Sequence, residues 1–171
     1  MGVSGAAVES PTRRRNLMPS SASTSPSHDG VTPYLCARNA ARAIEFYKEA
    51  FGAAEVMRLA EPSGKIGHAE IKIGNALVML SDEYPEHGHR SPQSLGGSPV
   101  SLHLYVADAD AVARRAVAAG AKVLRPVADQ FYGERSGQLE DPFGHRWVIS
   151  TRTEDLSAAE IERRYAEYVK Q

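Results

Sequence analysis

The sequence predicts an α+β protein made of two copies of one strand–helix–three-strand unit. Three observations carry that expectation. In SPVSLHLYV (98–106), Val100, Leu102, Leu104 and Val106 alternate with Ser101, His103 and Tyr105, so one face of a strand is apolar and the other polar. The order strand, helix, three strands is read twice along the chain. FGAAEVMR (51–58) is matched by AGAKVLR (119–125), each running from a helix end into a strand. A period of roughly 70 residues is too long for a solenoid unit and fits a duplicated βαβββ module.

Residues 1–30 are rich in Ser, Pro, Gly and Ala and hold almost no large apolar side chain, so they are expected to form a disordered tail. No apolar run follows Arg13-Arg14-Arg15, which excludes a secretory signal and leaves an organelle transit peptide, or a start at Met18, open. The folded domain is expected over 31–155, with module one at about 31–82, a loop at 83–97 and module two at about 98–153; a helix over 156–171 follows.

Module one opens with VTPYLCA as a strand, Thr32, Tyr34 and Cys36 on one face; Pro33 is tolerated near a strand start. Asn39 is the expected N-cap of a helix whose stripe is Ala43, Ile44, Tyr47 and Phe51, ended by Gly52. AEVMRLA is a strand, and Glu61-Pro62-Ser63-Gly64 a turn. IGHAEIKIG sets His68, Glu70 and Lys72 against Ala69, Ile71 and Ile73, and a Gly74-Asn75 hairpin leads into ALVMLS. DEYPEHGHRSPQSLGG lacks periodicity and reads as a loop, so Glu86-His87-Gly88-His89 has no rigid frame for metal binding. In module two, Asp108 or Asp110 caps a helix that Gly120 ends. AKVLRPV is a strand, ADQFYGERSG a loop, and QLEDPFGHRWVIST a hairpin turning at Asp141-Pro142-Phe143-Gly144. In the tail, Ser157 and Glu160 form a capping box, and Ile161, Tyr165, Tyr168 and Val169 form a stripe that docks on the domain or on a partner.

A chain of 171 residues with net charge −1 has room for one core and carries no electrostatic footprint for nucleic acid or a membrane surface. No apolar run approaches the roughly 20 residues of a spanning helix. The sole cysteine, Cys36, cannot form an internal disulfide, which suits a reducing cytoplasm. The expectation is a cytoplasmic protein without nucleic-acid or membrane partners.

ARAIEFYKEAFGA, GKIGHAEIKIG, LHLYVADADAVARRAVAAGA and YGERSGQLEDPFGHRWVIST together resemble the vicinal oxygen chelate superfamily of glyoxalases, bleomycin-resistance proteins and extradiol dioxygenases, most closely its PhnB-like branch. The resemblance covers Val31 to about Asp155. It implies a glyoxalase/bleomycin-resistance/dioxygenase fold: two βαβββ modules forming an open curved mixed sheet around a cup, helices outside, often in a homodimer. In the family's metal enzymes His and Glu side chains from four strands hold a divalent Lewis acid. Carried onto this chain, those positions fall at Thr32, Met79, Ser101 and Val148. None is a His or a carboxylate, and thioether and alkyl groups do not hold such an ion. No cofactor is therefore expected, and a working lactoylglutathione lyase or extradiol dioxygenase is disfavoured.

Three readings of the remaining polar set stay open. His68, Glu70 and His103 could form a displaced two-His-one-carboxylate site for a divalent metal, making the chain a lyase or isomerase of glyoxalase type. His103 could act as a general base without metal, with Tyr34 or Tyr105 as hydrogen-bond donor. Or the chain could bind a small aromatic or anionic molecule without chemistry, as bleomycin-resistance members do, through Tyr34, His68, Glu70, Ser101, His103, Tyr105 and Tyr132, with Phe131 and Trp147 as further aromatic walls and Arg135 as a loop anion anchor. Cys36 reads as an inert buried residue.

Overall fold

Alternation along the strands decides which side of each sheet meets a helix. A computed structural model describes residues 1–2 and 30–170. The expected disordered tail, with Arg13–Arg15 and Met18, lies almost wholly outside the described residues. Module one consists of β1 (Tyr34–Ala37), α1 (Ala40–Phe51), β2 (Ala54–Ala60), β3 (Ile66–Ile73) and β4 (Ala76–Asp82). Module two repeats the order with β5 (Ser101–Tyr105), α3 (Ala109–Ala118), β6 (Lys122–Gln130), β7 (Glu134–Glu140) and β8 (Arg146–Arg152). Each module is a four-stranded mixed sheet, β1-β4-β3-β2 and β5-β8-β7-β6, in which only the β1–β4 and β5–β8 pairs are parallel.

The duplication extends to register. Tyr34 lies opposite Met79 and His103 opposite Val148, and each stands at the same distance in sequence before its helix cap. Asn39 and Asp108 are those caps, accepting from the backbone N–H of Arg42 and Ala111. The neighbouring strand adds a second acceptor in both modules. Asp82 takes the Ala40 N–H at 3.0 Å, and Thr151 Oγ1 the Ala109 N–H at 2.8 Å. Two of the donors a helix leaves orphaned at its start are met in this way. Gly52 closes α1 at φ 68°, in the left-handed region that glycine enters without steric cost.

α1 buries Ala43, Ile44, Tyr47 and Phe51 and packs on α3, so one core joins both modules. Leu35, Ile71 and Leu80 meet it from the first sheet, and Leu139, Trp147 and Ile149 from the second. Burying each such side chain contributes about 1.5–3 kcal/mol. The opposite, polar faces of the two sheets turn away from these helices. β6 departs from β7 by a register shift between Arg125 and Ala128, where Gly137 lies so close to Val127 that a Cβ would sit 2.9 Å from the Val127 backbone nitrogen.

Several expectations need correction. β1 starts at Tyr34, leaving Thr32 before the strand, and Val100 lies outside β5, 62% exposed, instead of on its apolar face. ADQFYGERSG is no loop: β6 runs to Gln130, β7 begins at Glu134, and the two pair across a short turn. The 83–97 segment has local structure, with a 3-10 turn at Pro85–His87, a bridge between Tyr84 and His89, and a short helix α2 (Pro92–Leu95). Helix α4 (Ala158–Tyr168) is capped by Ser157 and docks on module two, Tyr165 and Tyr168 packing on Phe131 while Arg164 pairs with Glu154. Among the described residues no helix is long and apolar enough to cross a membrane.

Candidate ligand-binding site

The polar faces inherit their residues from strand parity, so the sequence-predicted groups fall into two sets, one per sheet. On the first sheet the Tyr34 hydroxyl lies 3.0 Å from His68 Nδ1, and His68 Nε2 lies 3.4 Å from Glu70 Oε1. Tyr34 is half exposed, whereas Glu70 is buried at the foot of the set. His89 joins them, its ring edge-on to Tyr34 and its Nε2 2.9 Å from Ser81 Oγ. Reading 83–97 as a frameless loop hid this histidine, which the Tyr84–His89 bridge holds in place.

On the second sheet the rings of His103 and Tyr105 stack nearly parallel, with centroids 4.5 Å apart. His103 Nε2 lies 2.7 Å from Ser150 Oγ and 3.8 Å from Glu134 Oε2. Glu134 is buried, and its Oε2 has no hydrogen-bond partner. Its other oxygen accepts the Tyr105 hydroxyl at 2.9 Å, and that bond, with some desolvation, raises the Tyr105 pKa above its ordinary value. Tyr105 thus spends its proton on Glu134 and presents lone pairs outward, contrary to the reading of it as a donor. The Tyr132 hydroxyl pairs with Ser136 on the same face, at 3.1 Å. Ser101 is exposed at the start of β5, opposite Arg146. Sequence reading placed Glu134 in a loop and so missed it; extending the β7 alternation two residues upstream of Ser136 would have found it.

Arg135 points the other way. Its guanidinium binds Asp110 on α3 at 2.6 and 3.0 Å and Asp129 at 3.0 Å, so it is a doubly paired cation on the helix side and not an anion anchor. Trp147 is core and Phe131 is covered by α4, which removes both as ligand walls. Cys36 is buried, and burial, reinforced by Glu83 and Asp82, pushes its thiol up to about 11.

The displaced metal set is not assembled: His68 and Glu70 stand on one sheet and His103 on the other. Among the described residues of one chain no three His, Cys, Asp or Glu side chains converge to hold an ion. Thr32, Met79, Ser101 and Val148 supply two hydroxyls, a thioether and an alkyl group, and these do not fit a divalent metal either.

The model of the glyoxalase/bleomycin resistance protein/dioxygenase superfamily matches residues 30–149. The chain belongs to that superfamily. An uncharacterized protein of Mycobacterium bovis is 43% identical over 135 residues, 77% of this chain and 89% of the relative. The crystal structure of a gene product of Arabidopsis thaliana superposes with a TM-score of 0.59 at 27% identity, over 71% of this chain and 97% of that one. A PhnB protein of Bacillus cereus shares the fold, with a TM-score of 0.57 at 21% identity over 71% and 98% of the two chains. The vicinal oxygen chelate fold, PhnB-like neighbours included, is therefore the frame in which both polar faces stand.

Proposed function

We propose that this glyoxalase-like chain binds a small aromatic or anionic molecule on its polar sheet faces, without the metal its superfamily commonly uses. The observation that carries the reading is the paired placement of half-exposed aromatic groups at repeat-related strand positions. Tyr34 is tied to His68 on one face, and the His103–Tyr105 stack is tied to Glu134 on the other. Rings held in place before a ligand arrives lose little freedom on binding it. The donor chemistry of Thr32, Met79, Ser101 and Val148 supports a metal-free site. Sequestration of a toxic compound is one use of such a site. The sole cysteine, unpaired and buried, accords with a reducing cytoplasm.

The same surfaces support a homodimer. Met57 and Leu59 on β2, paired with Glu70 and His68, are exposed apolar side chains beside the first polar face. A second copy would cover them and close the cup.

The test is a fluorescence titration with 1-anilinonaphthalene-8-sulfonate, an aromatic anion. Tyr34→Ala and Tyr105→Ala should each weaken binding between about twofold and tenfold, the range an aromatic contact contributes. Unchanged affinity in both variants sinks the reading. Plasma mass spectrometry on untagged protein purified without chelator should find far less than stoichiometric metal; a tightly held stoichiometric ion overturns the metal-free part.

A further inference from the structure

Where the modules meet, the 88–100 segment and β1 line an open cavity of about 380 Å³. Ligand pockets run from about 300 to 1,000 Å³, so this one suits a compact molecule with a single ring. Its walls are framed. Ser91 is fully buried with its backbone N–H on Glu83 at 2.7 Å, and Gln93 Nε2 donates to the Pro142 carbonyl at 2.9 Å. Leu35 and Leu102 supply apolar lining, and Leu95 and Val100, both strongly exposed, stand at its mouth. Cys36 also lines it, and as a buried protonated thiol it adds an apolar wall and no nucleophile.

Tyr34, His89 and Ser98 add polar lining, and two further polar groups, Arg90 and His145, carry the argument. Arg90 is exposed and makes no ion pair or side-chain hydrogen bond among the described residues. Of the carboxylates nearest in sequence, Glu83 is engaged by Ser91 and Arg38, and Glu86 is exposed. His145 is 6% exposed, and its Nδ1 lies 3.3 Å from both Asp141 Oδ2 and the Tyr47 hydroxyl. Tyr47 gives its own hydrogen to Asp141 at 2.8 Å. Both neighbours of Nδ1 therefore offer lone pairs, so Nδ1 carries the ring hydrogen and Nε2 is left as an acceptor for a ligand.

We infer that this seam cavity, which shares Tyr34 and His89 with the first polar face and is separate from the second, is a binding site for a small hydroxylated carboxylic acid. Its carboxylate meets Arg90, its hydroxyl donates to His145 Nε2, and its ring fills the apolar space. The guanidinium fork matches a carboxylate geometrically, and the buried acceptor discriminates for a hydroxyl.

Calorimetric titration of the full chain with 4-hydroxyphenylacetate and with phenylacetate tests this. Arg90→Ala, at an exposed position that leaves the thermal midpoint in place, should weaken 4-hydroxyphenylacetate about tenfold or more. Phenylacetate, lacking the hydroxyl, should bind wild type about threefold or more weaker. The NMR resonance of His145 Nε2 should move on adding the hydroxylated acid, and Tyr105→Ala should leave its affinity unchanged. Absence of binding at millimolar concentration overturns the inference. So does equal affinity in Arg90→Ala, a static His145 signal, or a loss in Tyr105→Ala, which would put the acid on the second sheet face.

Discussion

Replacing Asp141 by Asn should cost several kcal/mol of stability. One carboxylate oxygen accepts the backbone N–H of Phe143 and of His145, both at 2.9 Å, which shapes the β7–β8 turn. The other accepts the Tyr47 hydroxyl at 2.8 Å and Trp147 Nε1 at 2.9 Å. The group thus ties α1 of module one to the hairpin of module two. An amide keeps one acceptor and turns an NH2 toward two donors. Uncoupling a buried, fully bonded charge costs about 3–5 kcal/mol. At about 2–4 °C per kcal/mol for a chain of this size, the thermal midpoint falls by roughly 6–20 °C.

Burial alone would raise the Asp141 pKa, but the hydrogen bonds from His145, Trp147 and Tyr47 outweigh it and hold the group below its ordinary value. A depressed folded pKa means that the native state binds fewer protons. The stabilisation is complete above the unfolded value of about 3.9 and is lost as pH falls through the lower folded one. Thermal unfolding followed by circular dichroism should therefore show a gap between wild type and Asp141→Asn that is constant from neutral pH down to about 5 and closes only in stronger acid. A midpoint shift under about 2 °C at neutral pH would refute the argument that this carboxylate joins the modules.

Other changes follow from the same packing. Gly137→Ala puts a methyl 2.8 Å from Val127 Cγ2 and 2.9 Å from its backbone nitrogen. Urea unfolding should show a loss of about 1–3 kcal/mol, and an unchanged midpoint would contradict the close approach of β6 and β7. Cys36, with its thiol pushed up to about 11, should react with iodoacetamide at pH 8 roughly a hundredfold more slowly in native than in urea-unfolded protein. Comparable rates would place the thiol at the surface. Deleting residues 157–171 removes a helix with no buried residue, so the thermal midpoint should move by only a few degrees, about 1 kcal/mol in stability. Collapse of the domain would show that α4 is part of its core.

Much of the fold is legible along the chain. Asn39 and Gly52 bracket α1, Ser157 starts α4, and the β2 bounds at Ala54 and Ala60 coincide with the predicted strand. The candidate site is legible by parity alone. Tyr34, His68, Glu70, His103 and Tyr105 stand on polar faces as alternation requires, yet which of them meet was not readable. Glu134 and His89, each in a stretch read as loop, are the immediate partners of Tyr105 and Ser81. Arg135, read as a loop residue, is consumed by Asp110 from α3.

By itself the sequence determined helix ends, the duplication and the facing of most residues in the regular strands, because caps and two-residue alternation act within a few residues of backbone. Tertiary structure alone decided that His68 and His103 belong to separate faces, that Asp141 joins Tyr47 to Trp147, and that Arg90 and His145 share one cavity. Those meetings depend on sheet register and on how α1 packs against α3. They bring together groups far apart in the chain, and no local pattern encodes such distances.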